Sequence, residues 1–216
     1  MVQELAQRVR VPVPRLYTIP SEQPNAFATG RNPRHAALAV TEGLLEQVPP
    51  EQVKGVLAHE FGHIKNRDIL VSSIAAMVAG AIAAIANILQ FSLLFGGDDE
   101  DAGPLGVIGL LGTILFAPLA ASLLQLAVSR QREYLADATG AQFLGRGRPL
   151  ADALDALERR GQTSPLELNP ATASLYIVNP LRQQGVATLF STHPPTAERV
   201  RRLRALDGDQ TLPLVA

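Results

Sequence analysis

The sequence predicts an α+β fold that is mainly helical, with a small β-sheet near the amino terminus and an inserted two-helix transmembrane hairpin. Short runs of alternating apolar and polar residues lie between residues 15 and 40, and such alternation is typical of strands. Apolar residues then recur at helix spacing between residues 53 and 64. Two later runs, 69–97 and 102–129, contain no charged residue. Each exceeds the ~20 residues that a helix needs to cross a bilayer core.

The first elements are short. Residues 1–10 have the pattern of a helix, and the two prolines that follow interrupt it. Arg15–Ile19 is a predicted strand, and the alternating runs Asn25–Thr29 and His35–Val40 predict a β-hairpin beside it. Thr41 is the expected N-cap of a short helix, because its hydroxyl can accept a hydrogen bond from an unsatisfied backbone N–H.

A longer helix is predicted to begin at Pro49-Pro50-Glu51, because proline and an acidic side chain favour the first turn. Its apolar residues recur at the spacing of one helix face. They are Val53, Val56, Leu57, Phe61 and Ile64.

Two further helices are predicted after the second uncharged run, at residues 129–141 and 148–158, and a last one follows Pro194 and Pro195. Loops with short helices are expected over 161–190, where glycine and proline interrupt the apolar patches.

The two uncharged runs divide the chain. We predict a discontinuous domain formed by 1–68 and 129–207, a membrane hairpin at 69–128 and a tail at 208–216. The alternative is a pair of fully buried helices in a soluble protein. A chain of 216 residues has too little other apolar surface to cover two helices of that length.

The charges at the ends of the runs predict an orientation. Lys65 and Arg67 precede the first run, and Arg130 and Arg132 follow the second. The connection at 98–101 carries only acidic residues. Because cytoplasmic flanks are enriched in lysine and arginine, both outer ends are expected to face the cytosol.

Composition excludes several classes of function. The formal net charge is −1, which does not favour a nucleic-acid partner. The chain has no cysteine, so disulfides and thiolate metal sites are impossible. The amino-terminal residues have no continuous apolar core, so no signal peptide is expected.

The helix that begins near residue 50 carries a metal-site motif. His59 and His63 are four residues apart, so they share a helix face and can bind one metal ion. Glu60 lies beside them, where a carboxylate can take a proton from the water that attacks a peptide bond. Gly62 is expected to leave room beside the metal. A chance match on an amphipathic helix is the other interpretation, but two of only four histidines have this spacing around a glutamate.

A catalytic zinc ion usually has three protein ligands and one open position. The third ligand must come from His35, His193 or a carboxylate. Glu133 and Asp137 lie at i and i+4 of a predicted helix. That spacing suits one acid as ligand and the other as hydrogen-bond partner of a ligating histidine. A solvated helix face fits the same spacing, so both interpretations stay open on spacing alone.

Three motifs, in this order, resemble those of the HtpX/Ste24-type membrane zinc endopeptidases. They are His-Glu-Phe-Gly-His-Ile at 59–64, Ser-Arg-Gln-Arg-Glu-Tyr-Leu-Ala-Asp-Ala at 129–138 and Ser-Thr-His-Pro-Pro-Thr-Ala-Glu-Arg-Val at 191–200. The resemblance extends from about Asn25 to Leu203, includes the two uncharged runs, and is strongest to the bacterial HtpX-type members. Such proteases usually carry further membrane spans ahead of the hairpin, so a shortened chain or a short family member is expected.

The resemblance implies a gluzincin-like zinc peptidase domain with one zinc ion. Its implied ligands are His59, His63 and Glu133, with Glu60 as catalytic base and Asp137 as the acid that orients a ligand. His193 becomes a candidate for stabilising the transition state, although a helix-capping role is equally compatible. The resemblance also implies an edge strand that pairs with an extended substrate. Its residues are Asn25, Ala26, Phe27, Ala28 and Thr29.

The implied function is that of a membrane-bound zinc endopeptidase acting in protein quality control and stress response. It would cut membrane or misfolded proteins at the cytosolic face of the bacterial inner membrane. Its partners would be polypeptide substrates, the lipid bilayer and other membrane quality-control proteins. Two alternatives remain: a Ste24-like processing peptidase with a specific substrate, and a non-catalytic zinc-containing membrane scaffold.

Overall fold

The computed structural model of the protein describes residues 1–95, 104–163 and 194–208. Within these ranges, side chains are not described for 89, 90, 92–95, 104–118 and 161–163. Seven helices and three strands occur in the described part of the chain. In chain order they are α1 (Val2–Val9), β1 (Arg15–Ile19), β2 (Ala26–Gly30), β3 (Ala36–Thr41), α2 (Glu42–Gln47), α3 (Pro50–Asn66), α4 (Asp68–Phe95), α5 (Pro104–Leu144), α6 (Arg148–Thr163) and α7 (Thr196–Gly208). The prediction of a mainly helical protein with a small sheet is therefore confirmed.

The sheet has the order β1-β3-β2. β2 and β3 form the predicted antiparallel hairpin, and β1 pairs with β3 in parallel. The hairpin strands begin and end one residue later than predicted, and a short 3-10 turn at Pro33–His35 precedes β3. β3 lies in the centre, so β2 is an edge strand among the strands that the structure describes.

Thr41 connects the hairpin to α2 as predicted. Its Oγ1 accepts a hydrogen bond from Leu44 N at 3.2 Å, which caps α2. The same atom accepts from Asn25 N at 2.8 Å. One hydroxyl therefore determines both where α2 begins and where β2 enters the sheet.

The core surrounds α3. All five residues of its predicted apolar stripe are buried, together with apolar side chains of the sheet and of α1, α6 and α7. The helix begins at Pro50 and ends at Asn66, and its C-cap Arg67 has the left-handed backbone conformation (φ 55°). The chain turns there, and α4 begins at the next residue.

Helix α5 is longer than predicted. It continues from Pro104 to Leu144 without interruption, whereas the sequence suggested a membrane helix followed by a second helix near residue 129. No glycine or proline lies between residues 119 and 139, so nothing in this stretch ends the helix.

The chain divides into two compact units, the first formed by Met1–Leu70 with Arg130–Ala216 and the second by Val71–Ser129. All candidate site residues that the structure describes belong to the first unit. Among the described residues, one stretch, Asp68–Ile88, is long and apolar enough to cross a membrane, and little of it is buried. Side chains are not described for most of the second uncharged run, and the acidic connection at 98–101 lies outside the described residues. The transmembrane hairpin and its orientation therefore remain predictions.

Candidate metal centre

Helix α3 places two histidine side chains against each other. The Nε2 atoms of His59 and His63 are 3.0 Å apart. Their rings are nearly perpendicular, with 4.5 Å between the centroids and an interplanar angle of 86°. This follows from their spacing of four residues on one helix face.

Helix α5 adds a carboxylate to the pair. Glu133 Oε1 lies 3.5 Å from His63 Nε2, and Glu133 Oε2 lies 3.8 Å from His59 Nε2. One ligand atom from each of the three side chains falls within a group no wider than 4.8 Å. The structure thus places the carboxylate of Glu133, whose role the spacing left open, at the histidine pair.

Small residues allow α3 and α5 to approach this closely. A Cβ added to Gly62 would lie 2.8 Å from the Ala136 carbonyl oxygen, and one added to Gly140 would lie 2.9 Å from His59 N. The sequence suggested that Gly62 leaves room beside a metal ion. The structure corrects this: Gly62 makes space for the backbone of α5, and that contact brings Glu133 to the histidines.

Each histidine is bonded through its other ring nitrogen to an aspartate. His59 Nδ1 is 2.9 Å from Asp137 Oδ1, and His63 Nδ1 is 2.6 Å from Asp68 Oδ2. A carboxylate on Nδ1 favours the proton on that nitrogen, which leaves the Nε2 lone pair available to a metal. Two such imidazoles and a carboxylate are donors that zinc accepts, so the residues present fit a zinc ion.

Asp68 was not predicted. In a continuous helix, residues five apart are about 140° apart around the axis, so His63 and Asp68 would not meet. Arg67 removes this obstacle, because its left-handed conformation ends α3 and redirects the chain before Asp68. The only signal in the sequence is an acidic residue at the start of an uncharged run.

Arg199 was also missed, and it stabilises the other aspartate. Its Nε and Nη2 donate to the two oxygens of Asp137 at 2.8 and 2.7 Å. Its Nη1 lies 3.4 Å from Glu133 Oε2. Only 1% of Arg199 is exposed. A sequence signal did exist, because Arg199 shares the helix face of Thr196, Val200 and Leu203, all buried.

The charges of this buried pair stabilise each other. Burial by itself would raise the pKa of Asp137, but the Arg199 guanidinium outweighs it, so the pKa is lowered from its ordinary value. Burial would likewise lower the pKa of Arg199, yet Asp137 raises it. Both groups are therefore charged at neutral pH.

Glu60 lies beside the cluster and contacts the sheet. Its Oε2 accepts a hydrogen bond from the backbone N–H of Ala28 at 2.8 Å. Burial raises the pKa of Glu60 above its ordinary value. A carboxylate with a raised pKa is a better proton acceptor near neutral pH than an exposed one.

The register of the hairpin explains why Ala28 reaches Glu60. Thr41 N donates to Asn25 O at 2.9 Å, and Phe27 is opposite Ala39. Because bonded and non-bonded pairs alternate along an antiparallel ladder, Phe27 is bonded to β3. Ala28 therefore directs its N–H and carbonyl away from β3, to the edge of β2 where Glu60 lies.

The remaining histidines have different positions. His35 lies on the 3-10 turn, where its Nδ1 is 3.0 Å from Asn32 Oδ1 and its Nε2 is 3.2 Å from Arg31 Nη2. It does not join the metal-site group found among the described residues. His193 lies outside the described residues.

Comparison with known proteins identifies the family. A model of peptidase family M48 matches residues 1–207. The chain belongs to this family. The predicted membership, the enzyme class of metalloprotease and the family's role as membrane zinc peptidases are thereby confirmed.

Close relatives occur in several organisms. The "Protease HtpX homolog" of Persephonella marina is 55% identical over 207 residues, which cover 94% of this chain and 72% of that protein. The homolog of Aquifex aeolicus is 50% identical over 208 residues, covering 94% and 69%. That of Pyrococcus furiosus is 50% identical over 207 residues, covering 95% and 72%.

A solved structure shares the fold. The crystal structure of S. mikatae Ste24p aligns with a TM-score of 0.61 at 24% identity and covers 94% of this chain. The chain spans about half the length of that protein, 48%. This likeness supports a metallopeptidase fold.

Proposed function

We propose that the protein is a membrane-bound zinc endopeptidase whose zinc ion is held by His59, His63 and Glu133. One observation carries the proposal. The three donor atoms converge within 4.8 Å, and both histidines present Nε2 to the same point because a carboxylate engages each Nδ1. Two histidines that met an acid by chance would not both have a second carboxylate on Nδ1.

Glu60 is the proposed catalytic base. A bound zinc ion would activate a water and polarise the substrate carbonyl. Glu60 would take the proton of the attacking water and deliver it to the leaving amine. Its burial and raised pKa suit it to both steps. The presence of this acid beside the histidines favours an enzyme over a zinc-containing scaffold.

Asp137 has the proposed role of positioning His59, and Arg199 in turn positions Asp137. The bidentate geometry of Arg199 fixes both carboxylate oxygens. His193 is proposed to stabilise the transition state, as the resemblance implies. Replacement of His193 by Gln should then lower kcat more than it raises KM, and unchanged kcat would reject that role.

Asn25, Ala26, Phe27, Ala28 and Thr29 are the proposed substrate-binding strand. The edge of β2 that faces away from β3 lies next to Glu60, and the carbonyls of Ala26 and Ala28 point to that edge. An extended peptide could add to it as a further strand. Ala28→Pro should lower peptide turnover while leaving the ladder with β3 intact. Phe27→Pro should instead weaken the fold, because Phe27 N–H belongs to that ladder.

For the whole chain we propose a peptidase domain at 1–68 and 129–207, a hairpin anchor at 69–128 and a tail at 208–216. The active site would face the cytosol at the inner membrane, and misfolded or membrane polypeptides would be the substrates. Other membrane quality-control proteins would be partners. A cysteine placed at residue 99 should react with a reagent outside the cytosol, and one at Arg31 should not. Reaction of both sites from the same side would reject the hairpin.

Substitutions that separate ligand from base test the central proposal. Glu60→Gln keeps both histidines, so zinc should stay bound while peptide cleavage falls by about 100-fold or more. Glu133→Ala removes a ligand, so zinc binding and cleavage should fall together. Zinc content and cleavage of an unfolded protein would be measured on both variants.

Glu51→Gln is the matched control, because Glu51 lies in the first turn of the same helix and its side chain is 67% exposed. It should retain both zinc and activity. Full zinc binding by Glu133→Ala would assign the third ligand elsewhere. Full activity of Glu60→Gln would reject the peptidase mechanism.

A further inference from the structure

Asp68 lies outside the three motifs that carry the family resemblance. It is the first residue of α4, the apolar helix, and its Oδ2 lies 2.6 Å from Nδ1 of His63. Only 6% of Asp68 is exposed. A carboxylate that is buried in this way needs partners within the protein, because water cannot solvate it.

Arg132 completes the arrangement from α5. Its guanidinium forms an ion pair with Asp68 Oδ1, and its Nη2 donates to the backbone carbonyl of Asn66 at 2.8 Å. Asn66 is the last residue of α3. Arg132 therefore bonds the end of the helix that carries His63 and the beginning of the helix that carries Asp68.

The backbone between these helices turns at one residue, Arg67. Arg67 N bonds to the carbonyls of His63 and Ile64, which closes α3 in a left-handed cap. Asp68 follows directly, so its carboxylate has little freedom to move relative to His63. The ring of His63 is consequently held in one orientation by the cap, the aspartate and the arginine together.

We infer that Asp68 is a positioning residue for the metal ligand His63, and that Arg132 holds Asp68 in place. The inference rests on the proposed zinc site, and it gives Asp68 the role toward His63 that Asp137 has toward His59. It also links the metal centre to the first residue of the apolar helix. A change at the base of that helix would then alter metal binding without touching a ligand.

Zinc affinity of the full chain in detergent micelles, measured by competition with a chelator, tests the inference. Asp68→Ala should weaken zinc binding by about 10–100-fold, as loss of a hydrogen-bonded carboxylate behind a ligating histidine does elsewhere. The zinc affinity of Asp68→Asn should lie between those of the parent protein and Asp68→Ala, because the amide oxygen still accepts from Nδ1 but lacks the charge. Arg132→Met should weaken binding less than Asp68→Ala, since Asp68 remains.

Imidazole NMR of the zinc-loaded protein supplies a second measurement. The Nδ1 proton of His63 should be protected from exchange in the parent protein and lost in Asp68→Ala. The His59 signal should persist in that variant and disappear in Asp137→Ala. A purely structural Asp68 would instead lower the free energy of unfolding without removing one imidazole signal selectively.

His63→Ala distinguishes the two possible failures. If His63→Ala leaves zinc affinity unchanged, the proposed metal centre itself is wrong. If His63→Ala weakens zinc binding while Asp68→Ala and Asp68→Asn do not, only the role of Asp68 is overturned. Arg146→Ala, which breaks an exposed ion pair to Glu51 on α3, is the control and should leave zinc affinity unchanged. Equal losses in Arg146→Ala and Asp68→Ala would also overturn the inference.

Discussion

The two histidines of the candidate metal centre have similar partners in different surroundings. Behind His59 lies Asp137, bonded to Arg199, and behind His63 lies Asp68, bonded to Arg132. The His59 side is enclosed by α5 and α7, and its side chain is 2% exposed. The His63 side lies at the junction of α3 and α4, and that side chain is 20% exposed.

The difference shows how the same pair of residue types can have different energetic roles. Arg199 is fully enclosed, so removal of its guanidinium would leave Asp137, charged or newly protonated, with no access to water. Arg132 has a side chain that is 15% exposed, and water can replace part of its contacts. We therefore expect the buried pair to dominate the free energy of folding and the junction pair to act mainly on the geometry of His63.

The largest expected effect is that of Arg199→Met. It leaves Asp137 buried without its countercharge, and breaking such a pair destabilises proteins by about 3–5 kcal/mol. Arg132→Met should cost about 1–2 kcal/mol, because the Arg132 side chain is 15% exposed and that of Arg199 only 2%. Denaturant unfolding of the zinc-free protein measures both. Arg201→Met, on the same helix with a 71% exposed side chain, should change stability little, and equal losses in all three would refute the comparison.

A second expected effect is a dependence of stability on acid. Arg199 holds the pKa of Asp137 below its ordinary value, despite the opposing effect of burial. The unfolded chain then binds the proton more readily than the folded protein, so the stabilisation is fully present above about pH 3.9. It is lost as the pH falls through the lower folded pKa. Asp137→Asn should remove this contribution, so unfolding free energies measured from pH 5 to pH 2 should vary less with pH in the variant.

The opposite sign is expected for Glu60. Burial raises its pKa, so the folded protein binds the proton more readily than the unfolded chain. In the zinc-free protein, stability from this group is present below the ordinary pKa of about 4.3 and is lost as the pH rises through the folded pKa. At neutral pH, zinc-free Glu60→Gln should therefore be more stable than the parent. A less stable variant would contradict the assigned shift.

The smallest expected effect is at the junction itself. Arg67 has a left-handed conformation that glycine adopts without strain. Arg67→Gly should change the free energy of unfolding by less than about 1 kcal/mol, in the stabilising direction, whereas Arg67→Val should destabilise. Arg10 caps α1 in the same conformation (φ 59°). The same two substitutions at Arg10 are the matched controls, and thermal unfolding measures all four variants. Loss of stability in Arg67→Gly alone would show that the arginine side chain, and not the backbone, holds the junction.

Several features of the molecule follow from local sequence. The spacing of His59 and His63 determines that both lie on one face of α3, whatever surrounds that helix. The cap at Thr41, the prolines before α3 and the alternating runs of the sheet were predicted within a residue or two. They could be predicted because hydrogen bonds and dihedral preferences within a few residues decide them.

Other features depend on segments that are far apart in the chain. Glu133 rather than His35 accompanies the histidine pair because Gly62 and Gly140 let α5 approach α3. The contact of Glu60 with Ala28 requires the strand order β1-β3-β2, which leaves β2 at the edge. Residue spacing along the chain predicts neither of these two contacts.

The two aspartate–arginine pairs show the same division most clearly. Asp137 could be suggested from its position four residues after Glu133, because a helix repeats locally. Asp68 could not, since its contact with His63 depends on a left-handed residue that redirects the chain. Helix spacing could place Arg199 on the buried face of α7, but its pairing with Asp137 depends on the contact between α7 and α5. The sequence by itself determined which residues could bind a metal and move a proton. Only the tertiary structure decided which charged side chains hold them in place, because a buried charge is stable only where folding brings its partner to it.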